Sequence, residues 1–539
     1  MTAVGRDPDR LLRRSPAALT AAVVPLVLLT ALWSLSLGKS LTGDEAMTVA
    51  LVRLPFGSML SNVAEDAHVP GYYALLWVWV RVFGVSQASL RAPGLVAAAL
   101  TALAAARGRG TAARYLLCVS PFVLHLSVEI RMYSMLALAG AWTMLLLGEY
   151  SSSPSLRRAA VTGLVLAAGT WIHHFAWPGV AASALLMLIR RKPLHALVML
   201  AIVSILYIPQ IPNLALEKGG AAATAGATGG EALIERASPV SALAHMPLSL
   251  AGTLLRFTSG TAPYRFTESG LASLSPWAVA GMILSVVMCF AALRGWRISG
   301  THVRLLILFV MLPLAFLRPS ARHFAFAFPA VAACVIAGLY SLPSRPGRSL
   351  RIAAALLSAA LCIPFITRST LPQRCTFDRD FREAARVAGA EAERTGARIV
   401  IYIDHYSTLA FRYHLEEQGF GGVETWSPHD ERFLEGRYFQ PDPSEGLSFL
   451  MQDTDSTVRA WRDSFGTPLL ILANDPAHAG IRVSGGPDGV IGTGSDVISD
   501  ADLRTSLEQS FSVHTIPLTG SSGPLTLFAV GSSRVRDSR

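Results

Sequence analysis

Charge is what this chain lacks first. Acidic and basic residues make up 15% of its 539 positions, hydrophobic ones 52%, and the mean hydropathy is +0.44. Such a composition cannot cover a globule with polar surface, which excludes an ordinary soluble enzyme. Cysteine is scarce too, at five. Cys118, Cys289, Cys334 and Cys362 lie inside apolar runs and Cys375 beyond them, so neither a disulfide framework nor a metal-spaced pair is visible. The Gly-rich stretch 485–494 carries neither the phosphate-loop nor the dinucleotide pattern. No small-residue cleavage site follows the first apolar run, which is therefore expected to be retained as a membrane span.

Long apolar runs are what the chain has instead. About eleven have the length a helix needs to cross a bilayer: 17–37, 90–106, 112–127, 132–148, 159–173, 175–190, 194–211, 272–293, 304–317, 324–341 and 350–367. The expected fold class is a polytopic α-helical membrane protein. Residues 1–370 form its transmembrane domain, with a first exported loop at 38–89, and 371–539 form a soluble α/β domain.

The net charge of +10 sits beside these runs, at Arg6, Arg10, Arg13 and Arg14, then Arg107, Arg109 and Arg114, and so on to Arg345, Arg348 and Arg351. With eleven spans and a cytoplasmic N-terminus, every such cluster faces the cytoplasm, as the positive-inside bias requires. The basic balance thus reports topology in a cell (plasma or inner) membrane, not a nucleic-acid partner, and it puts the C-terminal domain on the exported side. The apolar stretch 72–83 is too short to span, and counting it would invert every later cluster. It is expected to lie in the outer interface, with Tyr73, Trp77 and Trp79 at headgroup depth.

The unusual residues gather on the exported side. Ionisable groups beside hydrocarbon are costly, so chemistry is the first explanation to test. Asp44 and Glu45 open the first loop and read in two ways. They are first-turn acids of a helix capped by Thr42 or Asp44, or they supply a general base or metal-binding carboxylate. Glu65, Asp66, His68, Pro70, Tyr72 and Tyr73 follow in the same loop. His68 alone also reads as an interfacial histidine with a backbone partner. Glu129, Arg131 and Tyr133 stand at the exported end of the third run, where Glu129 and Arg131 read as a structural ion pair or as site residues. Arg318, Arg322 and His323 break the positive-inside pattern. Guanidinium groups at that plane suit a phosphate, or else they anchor to anionic lipid. His173 and His174 read as interfacial packing or a polar lining.

Residues 212–271 contain a Gly/Ala/Thr run that serves as a lid or a slack connector. In the tail, helix patterns at 380–395 and 407–418 alternate with strand patterns at 398–404, 467–473 and 524–530, which favours an α/β domain.

Taken together, LTGDEAMT, EDAHVPGYYALLWVWVRVFGVSQASLRAPG, SPFVLHLSVEIRMYSML and ARHFAFAFPAVAACVIAGLY resemble the GT-C superfamily of integral membrane glycosyltransferases. The protein mannosyltransferase-like branch is the nearest in pattern, a branch that includes the bacterial lipid A aminoarabinose and galacturonic acid transferases. The resemblance covers roughly residues 20–370. It implies a polyprenyl-phosphate-linked sugar donor, a protein, lipid or glycan acceptor on the exported face, and inversion by single displacement. On that resemblance Asp44 is the catalytic carboxylate, and Glu45, Asp66 and His68 line the donor or acceptor pocket. Arg322, with Arg131, holds the leaving phosphate, and Tyr72, Glu129, Tyr133 and His323 complete the candidate substrate-binding set. The sequence departs from the family pattern at His68-Val69-Pro70, where many relatives have His-Pro-Pro. No acid stands two residues after Asp44, so a DxD-type metal pair is not evident and a divalent metal stays open. A transporter or flippase for a lipid-linked glycan is the alternative, but it calls for polar residues at the membrane midplane and internal repeats. A non-catalytic assembly protein would leave Asp44, Asp66 and His68 in one loop unexplained.

Overall fold

The structure is a computed structural model that describes residues 16–65, 68–108, 111–211, 250, 253, 257, 276–316, 321–367, 381–397, 399–402, 405–426, 469–474, 511–516 and 525–533. In chain order the helices are α1 (Pro16–Leu35), α2 (Gly43–Arg53), α3 (Phe56–Glu65), α4 (Gly71–Phe83), α5 (Gln87–Ala105), α6 (Thr111–Cys118), α7 (Pro121–Val128), α8 (Tyr133–Ser152) and α9 (Leu156–Ile172). They continue as α10 (Trp177–Ile189), α11 (Pro193–Tyr207), α12 (Pro276–Ile298), α13 (Thr301–Phe316), α14 (Phe328–Tyr340), α15 (Ser344–Thr367), α16 (Phe381–Thr395) and α17 (His405–Glu417). The chain divides into two compact units, each assembled from separated stretches. Met1–Leu37, His68–Leu214 and Ala237–Leu371 make one, and Gly38–Ala67, Ala215–Arg236 and Pro372–Arg539 make the other.

The first unit is built from the apolar runs, each of which lies on helix. Among the described residues three helical segments are long and apolar enough to cross a membrane by themselves: Gln87–Ala105, Pro193–Gln210 and Val279–Ile298. The run 112–127, expected as one span, is instead the pair α6 and α7, bent by 56°. Pro121 explains the break. Its nitrogen has no proton to continue the helix, and its ring pushes Ser120 to an extended ψ of 128°. Large side chains face outward from this unit: Leu197 and Ile205 on α11 and Val286, Phe290 and Leu293 on α12 are 62–70% exposed. Apolar surface of that extent suits lipid rather than water. Inside, α12 and α14 pack backbone to backbone. A Cβ on Gly295 would fall 1.7 Å from the Cys334 carbonyl oxygen, and one on Gly338 1.8 Å from that of Ala291. Small residues at such a crossing let two helices approach without a hydrophobic driving force.

The second unit joins α2 and α3 to α16, α17 and a mixed sheet ordered β2-β1-β3-β5-β4. Its strands are β1 (Ile399–Tyr402), β2 (Glu424–Trp426), β3 (Leu469–Asn474), β4 (Phe511–Ile516) and β5 (Leu525–Ser533). β1 runs parallel to β2 and β3, and β5 antiparallel to β3 and β4. Phe381, Ala385, Phe411, Leu470, Ile471 and Leu527 are wholly buried here. The sequence pattern gave no sign of β2 or β4. The 485–494 patch, Cys375 and nearly all of 212–271 lie outside the described residues.

Candidate active site

In the second unit, Thr42 and Glu45 close a capping box at the start of α2. The Glu45 amide donates to Thr42 Oγ1 at 3.3 Å, and the Thr42 amide donates to Glu45 Oε2 at 2.9 Å. Glu45 is thereby buried and committed to the cap, which is the capping reading of the Asp44-Glu45 pair. Asp44 stands beside it in the first turn, half-buried, where the helix N-terminus favours a negative charge. Asp66 lies outside the described residues.

In the first unit a polar cluster forms where helices end. Helix α7 leaves its last carbonyls without intrahelical partners. The Trp33 indole donates to the Ser127 carbonyl at 3.1 Å, and the buried Arg91 guanidinium donates to that of Val128. These bonds fix the short connection that presents Glu129 and Arg131. Glu129 pairs with His125, one turn back, at 3.6 Å. Arg131 is 6% exposed; its Nη2 bonds His68 Nε2 at 2.8 Å and its Nη1 donates to the Tyr73 hydroxyl at 3.4 Å. Because arginine is always protonated and only donates, His68 accepts at Nε2 and carries its proton on Nδ1. Tyr72 packs edge-on against Tyr73, with ring centroids 5.7 Å apart.

Beside this pair, the Tyr133 hydroxyl bonds His323 Nε2 at 3.1 Å. His323 stands in a 3-10 turn, Ala321–Phe324, that precedes α14. Arg322 is in the same turn, and only its backbone belongs to the described structure. His173, between α9 and α10, stacks on Phe175 at 4.5 Å and accepts the Phe175 amide at Nδ1. Its ring lies 5.7 Å from that of Tyr133 and 6.0 Å from that of His323. His174 Nδ1 bonds the Tyr207 hydroxyl at 3.1 Å. Of the residues singled out in the sequence, the first unit thus places Arg131 against His68 and Tyr133 against His323. Tyr73, already noted in the same loop, joins them through Arg131, and the structure adds Arg91 and His173, for which the sequence offered only an LR-x-P motif and two adjacent histidines. Among the described residues no group of three His, Cys, Asp or Glu side chains converges.

No family model matches the sequence, and no curated protein does. Solved structures do. ArnT from Cupriavidus metallidurans, in the apo state and bound to undecaprenyl phosphate, aligns over 95% of this chain and 98% of its own, with 12% identity and a TM-score of 0.51. The Archaeoglobus fulgidus oligosaccharyltransferase AglB, in complex with an inhibitory peptide and a dolichol-phosphate, aligns over 89% of this chain and 74% of its own at 12% identity, with a TM-score of 0.47. At these identities the ArnT likeness is one of fold, and it agrees with the GT-C resemblance read from the motifs.

Proposed function

We propose that this protein is an integral membrane glycosyltransferase that moves a sugar from a polyprenyl-phosphate donor to a hydroxyl of a protein, lipid or glycan at the exported face of the cell membrane. The observation that carries the reading is the buried Arg131 guanidinium, held by His68 and Tyr73 at the ends of helices whose outer faces are apolar. A fixed guanidinium at that position suits a phosphate whose lipid tail stays in the membrane. The ArnT fold supports the same reading, since one of those structures is bound to undecaprenyl phosphate.

In this reaction a carboxylate takes the proton of the acceptor hydroxyl as its oxygen attacks the anomeric carbon. The anomeric C–O bond to phosphate breaks, the electron pair leaves with the polyprenyl phosphate, and the anomeric centre inverts. Asp44 is the base. Arg131 and Arg322 stabilise the charge that develops on the leaving phosphate. His68, Tyr72, Glu129, Tyr133 and His323 line the substrate site, and Asp66 belongs to the same set. Glu45 acts through the capping box, by fixing the helix that carries Asp44. The arrangement calls for eleven crossings with the N-terminus in the cytoplasm, α4 in the outer interface and the tail exported. At about 20 Å, α4 is shorter than a bilayer core of about 30 Å. The test is incubation of the purified protein in lipid nanodiscs with a panel of polyprenyl-phosphate sugars and a panel of hydroxyl-bearing peptide, lipid and glycan acceptors. Release of polyprenyl phosphate from one of the donors is expected, and turnover of none would sink the proposal.

A further inference from the structure

We propose that His414 is a positioning residue: its imidazole grips the chain segment that enters the Asp44 helix, so the C-terminal elements of the second unit hold the base-bearing helix in place. The inference rests on Asp44 being the base. His414 is wholly buried on α17, and both ring nitrogens are engaged. The Leu41 amide donates to Nε2 at 3.0 Å. A backbone N–H can only donate, so the ring proton is on Nδ1, where it is given to Glu417 Oε2 at 2.8 Å. Arg382 on α16 donates to the other Glu417 oxygen at 2.6 Å and to the Gly38 carbonyl at 3.3 Å. Tail side chains therefore hold the backbone on both sides of Ser40, immediately ahead of the Thr42 cap.

The far end of α2 is held from the same turn of α17. Arg53 donates to Glu416 at 2.9 Å and lies over the Tyr413 ring at 5.5 Å. Ser40 Oγ is 3.1 Å from His414 Nε2, so hydroxyl, imidazole and carboxylate stand in the order of a nucleophile relay. The Leu41 amide already holds the Nε2 lone pair, and Glu417 is tied to Arg382, which makes the group a grip and not a base. What it fixes is orientation, and displacing a catalytic group by about 1 Å costs on the order of a hundredfold in rate.

Two substitutions separate the grip from mere folding. His414→Asn keeps a donor for Glu417 and ends short of Leu41, whereas His414→Gln places an acceptor where Nε2 was. Both are compared with wild type in the full-length protein by amide hydrogen exchange and by turnover of a polyprenyl-phosphate sugar. The expected result for Asn is faster exchange across 40–53 with β1 and β3 still protected, and kcat reduced about tenfold or more at unchanged donor KM. Gln is expected to restore both. Unchanged exchange at 40–53 in the Asn protein overturns the grip, and faster exchange with unchanged kcat overturns the positioning role. Should Asn also expose β1 and β3, Arg53→Gln releases the other end of α2 and the same two readouts decide. A wild-type protein that turns over no donor overturns the transferase reading and the positioning role with it, while the exchange data still decide the grip.

Discussion

Asp44 and Arg131 carry opposite charges and opposite assignments, and single substitutions separate them. Asp44→Asn keeps the shape of the first turn of α2 and removes the carboxylate proposed as the proton acceptor. Turnover is expected to fall by about 10²–10⁴-fold with yield and membrane insertion unchanged, as read by single-turnover kinetics; wild-type turnover would remove Asp44 from the mechanism. Arg131→Gln retains hydrogen bonding and loses the charge. Its kcat is expected to fall by about 10²–10³-fold, whereas a change confined to acceptor KM would assign Arg131 to the acceptor. At this scale the sequence was informative where a residue type is expensive: His68, Arg131 and His323 stood out because ionisable groups are rare in this chain. His173 was read with His174 as packing or a polar lining, but its place beside Tyr133 and His323 comes from the 3-10 turn His174–Ala176, for which two adjacent histidines give no signal. Glu45 read both as a first-turn acid of a capped helix and as a pocket residue, and the capping box with Thr42 is the first of these.

Helices were legible from their apolar runs, but where one breaks and how two of them meet depends on single residues. Ser120-Pro121 turned an expected span into the bent pair α6 and α7. The α12–α14 crossing depends on Gly295 and Gly338, which no period in the sequence marks as partners. Gly338→Val must part the two helices, at a cost of about 1–3 kcal/mol or more, read as a lower Tm in detergent micelles. Gly57→Ala is the control, because a Cβ there meets nothing within 4 Å. It should leave Tm unchanged or raise it, and equal losses in both proteins would remove close helix contact as the cause. The short strand β2, three residues long, offered too little pattern to read.

For the molecule as a whole, acid is the sharpest probe of how the second unit is held. Burial pushes the Glu417 carboxyl up, but hydrogen bonds from His414 and Arg382 outweigh it and hold the group at about 2, against an ordinary 4.5. A carboxyl lowered on folding adds stability that is complete above 4.5 and is lost as pH falls towards 2. The melting temperature of the wild type is expected to drop through that window more steeply than that of Glu417→Gln; parallel curves would place the acid sensitivity elsewhere. None of this was legible beforehand, because His414 and Ser40 are 374 positions apart and a single sequence records no contact over such a distance.

That separation has a consequence in time. α2 emerges from the ribosome early, yet Glu416, the partner of Arg53, is made 363 residues later. At synthesis rates of about 5–20 residues per second, α2 waits about 20–70 s for α17. Every copy of the protein therefore passes through a stage in which its apolar helices have been made while Gly38, Leu41 and Arg53 still lack the α16 and α17 side chains that hold them. If Asp44 is the base, catalytic competence arrives with the last third of the chain, and a truncated product would sit in the membrane without it.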